Sequence, residues 1–302
     1  MRWSVFLLAI LAIILSACGT PDLPDKTAFI DTGVDPNAWV SIPAGSFLEG
    51  QHDHQVTIEN AYEIMVTPVT NSQFSLFLNQ ALANGKVKII NDQALGNYPG
   101  DTFHGYKHEE EIPAGDKLLV PLKEPGIQIA SDGIVFNSLP GYDNHPMIMI
   151  TWFGAKAYCE YMKGRLATEL EWEKAARGNQ DNRAYPWGDT LESNQANYSG
   201  SKGLLASVLG HQGDTTPVGF YSGKIYNNYQ TKLATSPYGL YDMAGNVWQW
   251  TGNIFEGTHY RYMRGGSKAD YGYNLRVWSR NNARPDYFSS NVGFRCVRDI
   301  QQ

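Results

Sequence analysis

The side chains of this sequence best suited to chemistry are its three cysteines, Cys18, Cys159 and Cys296. A thiolate is a nucleophile and a metal ligand, whereas in an oxidising compartment two thiols can lock each other in a disulfide. An odd number cannot all pair within one chain, so at least one needs a role of its own. A second arrangement, His104-x-x-x-His108 beside the acidic run Glu109-Glu110-Glu111, would place two imidazoles on one helical turn as metal ligands. Gly105 and Pro113 oppose a helix there and no third ligand follows, so this segment reads as a solvated loop.

The amino terminus accounts for the odd cysteine. Arg2 precedes an apolar run from Val5 to Leu15 that is too short and wrongly flanked for a membrane span, so residues 1–17 read as a secretory signal. It ends in Leu15-Ser16-Ala17-Cys18, which resembles a bacterial lipobox: small residues for signal peptidase, then a thiol that receives diacylglycerol. The alternative is an ordinary signal peptide cleaved near Ala17, with Cys18 left as a spare thiol. A lipidated Cys18 would anchor the protein to a membrane of the bacterial envelope, at the cell surface or the periplasmic face, through acyl chains and not a helix. Residues 18–37, polar and Pro-rich from Thr20 to Pro36, then read as a tether. Export makes Cys159 and Cys296, 137 residues apart, candidates for a bridge, with two buried free thiols as the alternative.

Composition narrows the partners. With 42% hydrophobic and 13% aromatic residues among 302, the chain can bury a sizeable core. A charged fraction of 18% and a net charge of -6 leave no basic surface for nucleic acid. Thirty Gly, fifteen Pro, eighteen Tyr and eight Trp suit an irregular, loop-rich domain better than a helical bundle.

The elements that must position these groups are few. Residues 38–302 contain no linker, charge block or repeat, so they read as one domain. Trp39–Pro43 and Gln55–Ile58 alternate as half-buried strands do, with turn chemistry at Ala44-Gly45-Ser46. Thr70 and Gln73 have capping-box spacing and open a helix from Asn71 to about Leu82. A second helix follows Thr151 and carries Ala155, Tyr158, Cys159 and Met162. Thr168 and Glu171 form another capping box, and the helix they open ends at Gly178. Residues 85–144 read as an irregular insertion, and no helix is expected from Asn179 onward.

One run is not generic: Gly164-Arg165-Leu166-Ala167-Thr168-Glu169-Leu170-Glu171-Trp172-Glu173. It resembles the family of formylglycine-generating enzymes, or sulfatase-modifying factors, whose mark is Gly-x-Arg-Leu-Pro-Thr-Glu-Ala-Glu-Trp-Glu. Further matches follow in family order: Tyr185-Pro186-Trp187-Gly188, Thr216-Pro217-Val218-Gly219, Tyr238 to Trp250, Arg264-Gly265-Gly266-Ser267 and Asn291 to Cys296. The resemblance spans nearly all of residues 39–299. It implies an irregular α+β fold of the C-type-lectin-like kind, low in regular secondary structure. It also implies that Cys159 and Cys296 sit where the family places a structural disulfide.

At the family's active site the resemblance weakens. Family oxidases carry two cysteines soon after the Gly-Gly-Ser motif, which hold copper and engage the substrate cysteine. Here Lys268 to Leu275 follow the motif, and no cysteine appears before Cys296. Neither copper nor formylglycine-generating activity is therefore expected. Calcium is the expected cofactor, because oxygen donors from loops suit a hard cation. The positions matching the family's calcium ligands are Asn197, Tyr198, Asp242, Gly245, Val247 and Gln249, with Gln249 where the family has Glu and Asp242 where it has Asn.

What remains is a scaffold with a different surface. Framework motifs from Arg264 to Asp299, among them Arg280-Asn281-Asn282 and Asn291-Val292-Gly293, alternate with Lys268, Asp270, Tyr271, Tyr273, Val277, Trp278, Tyr287, Phe288, Ser289 and Ser290. This pattern resembles the C-terminal region of variable proteins diversified by retroelements. Tyr, Trp, Ser and Asn also suit a binding surface physically. The plainer alternative is an aromatic-rich C-terminal strand region. The first functional expectation is a lipid-anchored protein that binds a protein or glycan ligand through these residues. The others are a family enzyme with non-cysteine chemistry, its pocket lined by Trp248, Trp250, Arg276, Arg280 and Arg295, and a structural lipoprotein of an envelope or secretion complex.

Overall fold

The computed structural model describes residues 29–101, 111–179, 182–202, 214–226 and 228–300. The secretory signal, Cys18, most of the tether and the pair His104/His108 lie outside them. Among the described residues, three α-helices and many short strands give a mixed α+β architecture with little regular structure.

Local chemistry starts each helix. In α1 (Asn71–Ala83), Thr70 Oγ1 accepts from the Gln73 backbone N–H at 3.2 Å while Gln73 Oε1 accepts from the Thr70 N–H at 2.9 Å. Thr151 caps α2 (Trp152–Tyr161) through the Gly154 N–H. Thr168 and Glu171 repeat the reciprocal box at α3 (Glu169–Arg177). This helix stops at Gly178, whose φ of +93° and approach to Pro237 leave no room for a Cβ, which would lie 2.9 Å from Pro237 Cγ. Beyond α3 the described helical residues are the short 3₁₀ turns Ser199–Lys202 and Gly272–Leu275.

Two four-stranded sheets carry the chain. The first orders Trp39–Ile42, Tyr62–Met65, Cys296–Asp299 and Arg165–Leu166, all antiparallel, so both ends of the domain close on each other. The second orders Arg280–Ala283, Arg261–Arg264, Trp248–Ile254 and Val292–Phe294, the last pair parallel. A stack of Phe74, Phe77, Tyr158 and Phe294 joins α1, α2 and the second sheet, with ring centroids 5.3–6.1 Å apart. Beside it Cys159 and Cys296, both fully buried, are joined in a disulfide. A second core surrounds Trp172 of α3, with Ile64, Leu240, Met243, Val277 and Val297.

The described residues of 85–144 carry more regular structure than the sequence reading expected. Val87–Ile90, Gln93–Tyr98 and Gly115–Pro121 form an antiparallel sheet, and Ile129–Ser131 pairs with Phe136–Ser138. Val87, Ala94, Tyr98, Leu119, Val120, Ile129 and Phe136 are buried in the main core. A register shift between Ala94 and Leu95 breaks the strand's alternation, and the first hairpin turns through Asn91 and Asp92 at φ +49° and +59° without glycine. These departures from simple period-two patterning hid the sheet.

Candidate ligand-binding site

The site is built on the turn that follows Arg264. Gly265 and Gly266 take φ of +97° and +71°, and a Cβ on Gly266 would lie 2.8 Å from Leu275 Cδ1 and 2.9 Å from the Asn274 carbonyl. Asp270 then organises the loop. Its carboxylate accepts from the Ser267 N–H at 3.0 Å, from the Ser267 hydroxyl, and from Asn274 Nδ2 at 2.7 Å.

Beneath the turn lies a charged foundation. The buried Arg264 guanidinium donates to Glu173 and to the Val277 carbonyl, and lies 3.6 Å from Glu169. Glu173 also meets Arg177 at 3.3 Å and accepts the Gly50 N–H at 2.7 Å. Arg280 Nε lies 3.0 Å from Glu169. Every charge in this cluster is paired, as burial demands.

Of the ten expected binding residues, three stand clearly in solvent. Tyr271 and Tyr273 are 59% and 62% exposed, with nearly parallel rings 6.4 Å apart, and Tyr287 is 45% exposed. Lys268 and Val277 are not surface positions. Lys268 is 4% exposed, donating to Asn291 Oδ1 at 2.9 Å and to the Ser290 carbonyl, and Val277 is sealed in the core around Trp172. The half-buried Trp278 is covered by Arg177 and Arg276, 5.2 and 5.7 Å from its ring. Phe288 packs on Ile148, Met149 and Val247. The Ser289 carbonyl accepts from the Met149 and Val292 N–H groups, so Ser289 and Ser290 anchor the loop.

Tyr287 borders a pocket of about 350 Å³ whose lining also includes Trp248, Asp270, Asn281, Asn282 and Asn291. The sequence reading assigned Asn281, Asn282 and Asn291 to framework. No local sequence signal marks them: Asn281 and Asn282 face Met263 and Tyr262 on the neighbouring strand, and this pairing places them at the edge of the second sheet. Among the alternative enzyme-pocket residues, Trp248 lines this pocket. Trp250 donates to the Ile150 carbonyl, and Arg295 is buried against the Met65, Val66 and Tyr241 carbonyls. The described cysteines are both in the disulfide, so the described lining contains no thiol.

The expected calcium ligands divide into two groups. Gln249 Oε1 is already held by Trp172 Nε1 at 3.0 Å and Arg295 Nε at 2.7 Å, while Gln249 Nε2 donates to the Asp242 carbonyl. The Asp242 carboxyl accepts the Gly219 N–H, and burial pushes its pKa up to about 6 against the attraction of Arg295. With a guanidinium beside them and the Gln249 amide oxygen doubly engaged, the Asp242 and Gln249 side chains do not fit a cation, and the Gly245 carbonyl already accepts the Val247 N–H at 2.9 Å. Asn197 does fit one. Its Nδ2 donates to the Asp214 carbonyl and Asn246 Oδ1, which leaves Oδ1 buried without a partner. The neighbouring Tyr198 carbonyl accepts from Ser201. No cluster of three His, Cys, Asp or Glu side chains exists among the described residues, so an ion here would rest on amide and carbonyl oxygens.

Comparison with known proteins agrees with this architecture. The inactive Cα-formylglycine-generating enzyme 2 of Mus musculus is 36% identical over 284 residues, covering 87% of this chain and 86% of its own. Serine/threonine-protein kinase pkn1 of Chlamydia caviae is 30% identical over 87% of this chain, but the chain spans only 38% of that kinase's length. Among solved structures, Treponema denticola variable protein 1 superposes with a TM-score of 0.51 at 19% identity, covering 87% of this chain and 95% of that one. A family model for the sulfatase-modifying factor enzyme 1-like domain matches residues 27–300, and the chain therefore belongs to the formylglycine-generating, or sulfatase-modifying factor, family.

Proposed function

We propose that this protein is a non-catalytic, lipid-anchored binding protein of the bacterial envelope, which uses the family scaffold to present Tyr271, Tyr273 and Tyr287 to a ligand. The observation that carries this reading is the exposed Tyr287 ring on a pocket whose described lining lacks a thiol, together with the exposed, parallel rings of Tyr271 and Tyr273. Rigid amphipathic rings give contact area at low entropic cost, and truncating such anchors removes binding energy out of proportion to their number. The mouse relative whose name calls it inactive supports a non-catalytic role on this scaffold. Cys18 is the proposed lipid attachment point, and Asn197 Oδ1 the proposed contact of a structural calcium ion.

The test compares the full chain with a Tyr271→Ala/Tyr273→Ala/Tyr287→Ala variant on a glycan array and a panel of envelope proteins. All three rings are exposed, so the variant keeps the core. A ligand held by the parent and weakened at least tenfold by the triple change supports the proposal. Equal binding by both proteins, or conversion of a Cys-x-Pro-x-Arg peptide to its aldehyde by the parent, refutes it.

A further inference from the structure

We infer that the pocket between the Gly265–Asp270 turn and the strand Arg280–Ala283 is a subsite for one neutral sugar residue. This deepens the binding role proposed above and rests on it. Unused hydrogen-bonding groups in the pocket are the primary observation. Buried indole N–H groups ordinarily find an acceptor. The other buried tryptophans, Trp152, Trp172 and Trp250, do so, at the Thr251 carbonyl, Gln249 Oε1 and the Ile150 carbonyl. Trp248 is only 6% exposed, yet its N–H has no acceptor among the described residues and is not sealed from solvent. The open space that Trp248 lines is this pocket.

The amides repeat the pattern. Asn281 Oδ1 accepts the Asn282 N–H at 2.9 Å and Asn291 Oδ1 accepts Lys268, so the Nδ2 groups of both remain unused. The Asn282 side chain is engaged by no described residue. Charges, by contrast, are spent. Both Asp270 oxygens are taken by Ser267 and Asn274, and Lys268 is turned onto Ser290 and Asn291. A ligand that fits is neutral, rich in groups that both donate and accept, and has an apolar face for the half-exposed Tyr287 ring. A hexopyranose has these properties, since each hydroxyl pairs reciprocally with a carboxamide. The volume of about 350 Å³ lies at the small end of ligand pockets, roughly 300–1,000 Å³, and suits a single ring. The Asp270 carboxylate disfavours an acidic sugar.

The test uses the full chain, labelled with ¹⁵N at tryptophan, in a detergent that carries no sugar. Methyl glycosides of glucose, galactose, mannose and N-acetylglucosamine are titrated in, with methyl glucuronide as the anionic counterpart. A Trp248→Phe variant assigns the Trp248 indole signal. The expected result is a saturable displacement of that signal by at least one neutral glycoside, weakened tenfold or more by Asn282→Ala and by Asn281→Ala, and no response to the glucuronide. A Trp248 signal indifferent to all four neutral glycosides, or equally responsive to the glucuronide, overturns the neutral-sugar assignment. If the triple tyrosine variant still loses a ligand on the array or panel, the binding role stands with another ligand chemistry. If it loses none, both readings fall.

Discussion

Removing the Cys159–Cys296 disulfide gives the most direct measure of what holds the site in place. The bond ties α2 to the strand Cys296–Asp299, which pairs with both Tyr62–Met65 and Arg165–Leu166. It closes a loop of 137 residues, and the chain-entropy relation assigns such a loop about 5 kcal/mol at 25 °C. Both cysteines are sealed in the core, so the Cys159→Ala/Cys296→Ala variant loses the restraint on the unfolded chain without exposing a new surface group. With a urea m-value near 3 kcal/mol/M for a domain of this size, the unfolding midpoint should fall by roughly 1.5–2 M. The buried bond should also resist dithiothreitol in native buffer and become reducible only where urea begins to unfold the protein. A midpoint shift equivalent to less than about 1 kcal/mol, or rapid reduction of the native protein, would refute the reasoning.

Two further outcomes follow from buried polar groups. Burial pushes the His145 imidazole down to about 4, against the pull of Asp214, and its Nδ1 sits 2.8 Å from Thr215 Oγ1. The folded state therefore holds His145 neutral while the unfolded chain, at its ordinary 6.5, takes up a proton, so stability is lost as pH falls from 6.5 toward 4, by about 3 kcal/mol at most. Subtracting urea-derived stabilities of a His145→Gln variant from those of the parent across pH 4–7 should reveal this slope, and parallel curves would exclude it. Calcium in 100-fold excess over its Kd should raise stability by about 2.7 kcal/mol, roughly 5 °C or more in Tm, and Asn197→Ala should abolish the rise. A Tm that is the same in calcium and in chelator counts against the ion.

How much of this was legible in sequence depended on how local the cause was. Thr70 with Gln73 and Thr168 with Glu171 act across three residues, so both helix starts could be read from spacing. The fold class came from ordered motifs spread over the chain. Burial between Lys268 and Ser290 was not readable, because distant partners decide it: Lys268 is held by Asn291 and by the Asn246 carbonyl, Val277 by the Trp172 core. For the same reason the pocket amides looked like framework. Asn281 and Asn282 reach the pocket only through pairing of their strand with Arg261–Arg264.

That division bears on how one scaffold can host different activities. The pocket wall comes from Trp248 and Met263 of the second sheet, the turn after Gly265, the strand Arg280–Ala283 and the segment 287–292. The last three are fixed by ties beneath the wall or within it. Arg264 is held by Glu173, Arg280 by Glu169, Asp270 holds Ser267 and Asn274, and Lys268 holds Ser290 and Asn291. Surface changes such as Tyr271 or Asn282 to another residue leave these ties intact, whereas loss of Lys268 or Arg264 would strand buried acceptors and charges. The chemistry of the pocket is therefore decoupled from the stability of its foundation. A family whose oxidases depend on two thiols beside the Gly-Gly-Ser turn can carry tyrosines and amides there without altering the fold beneath.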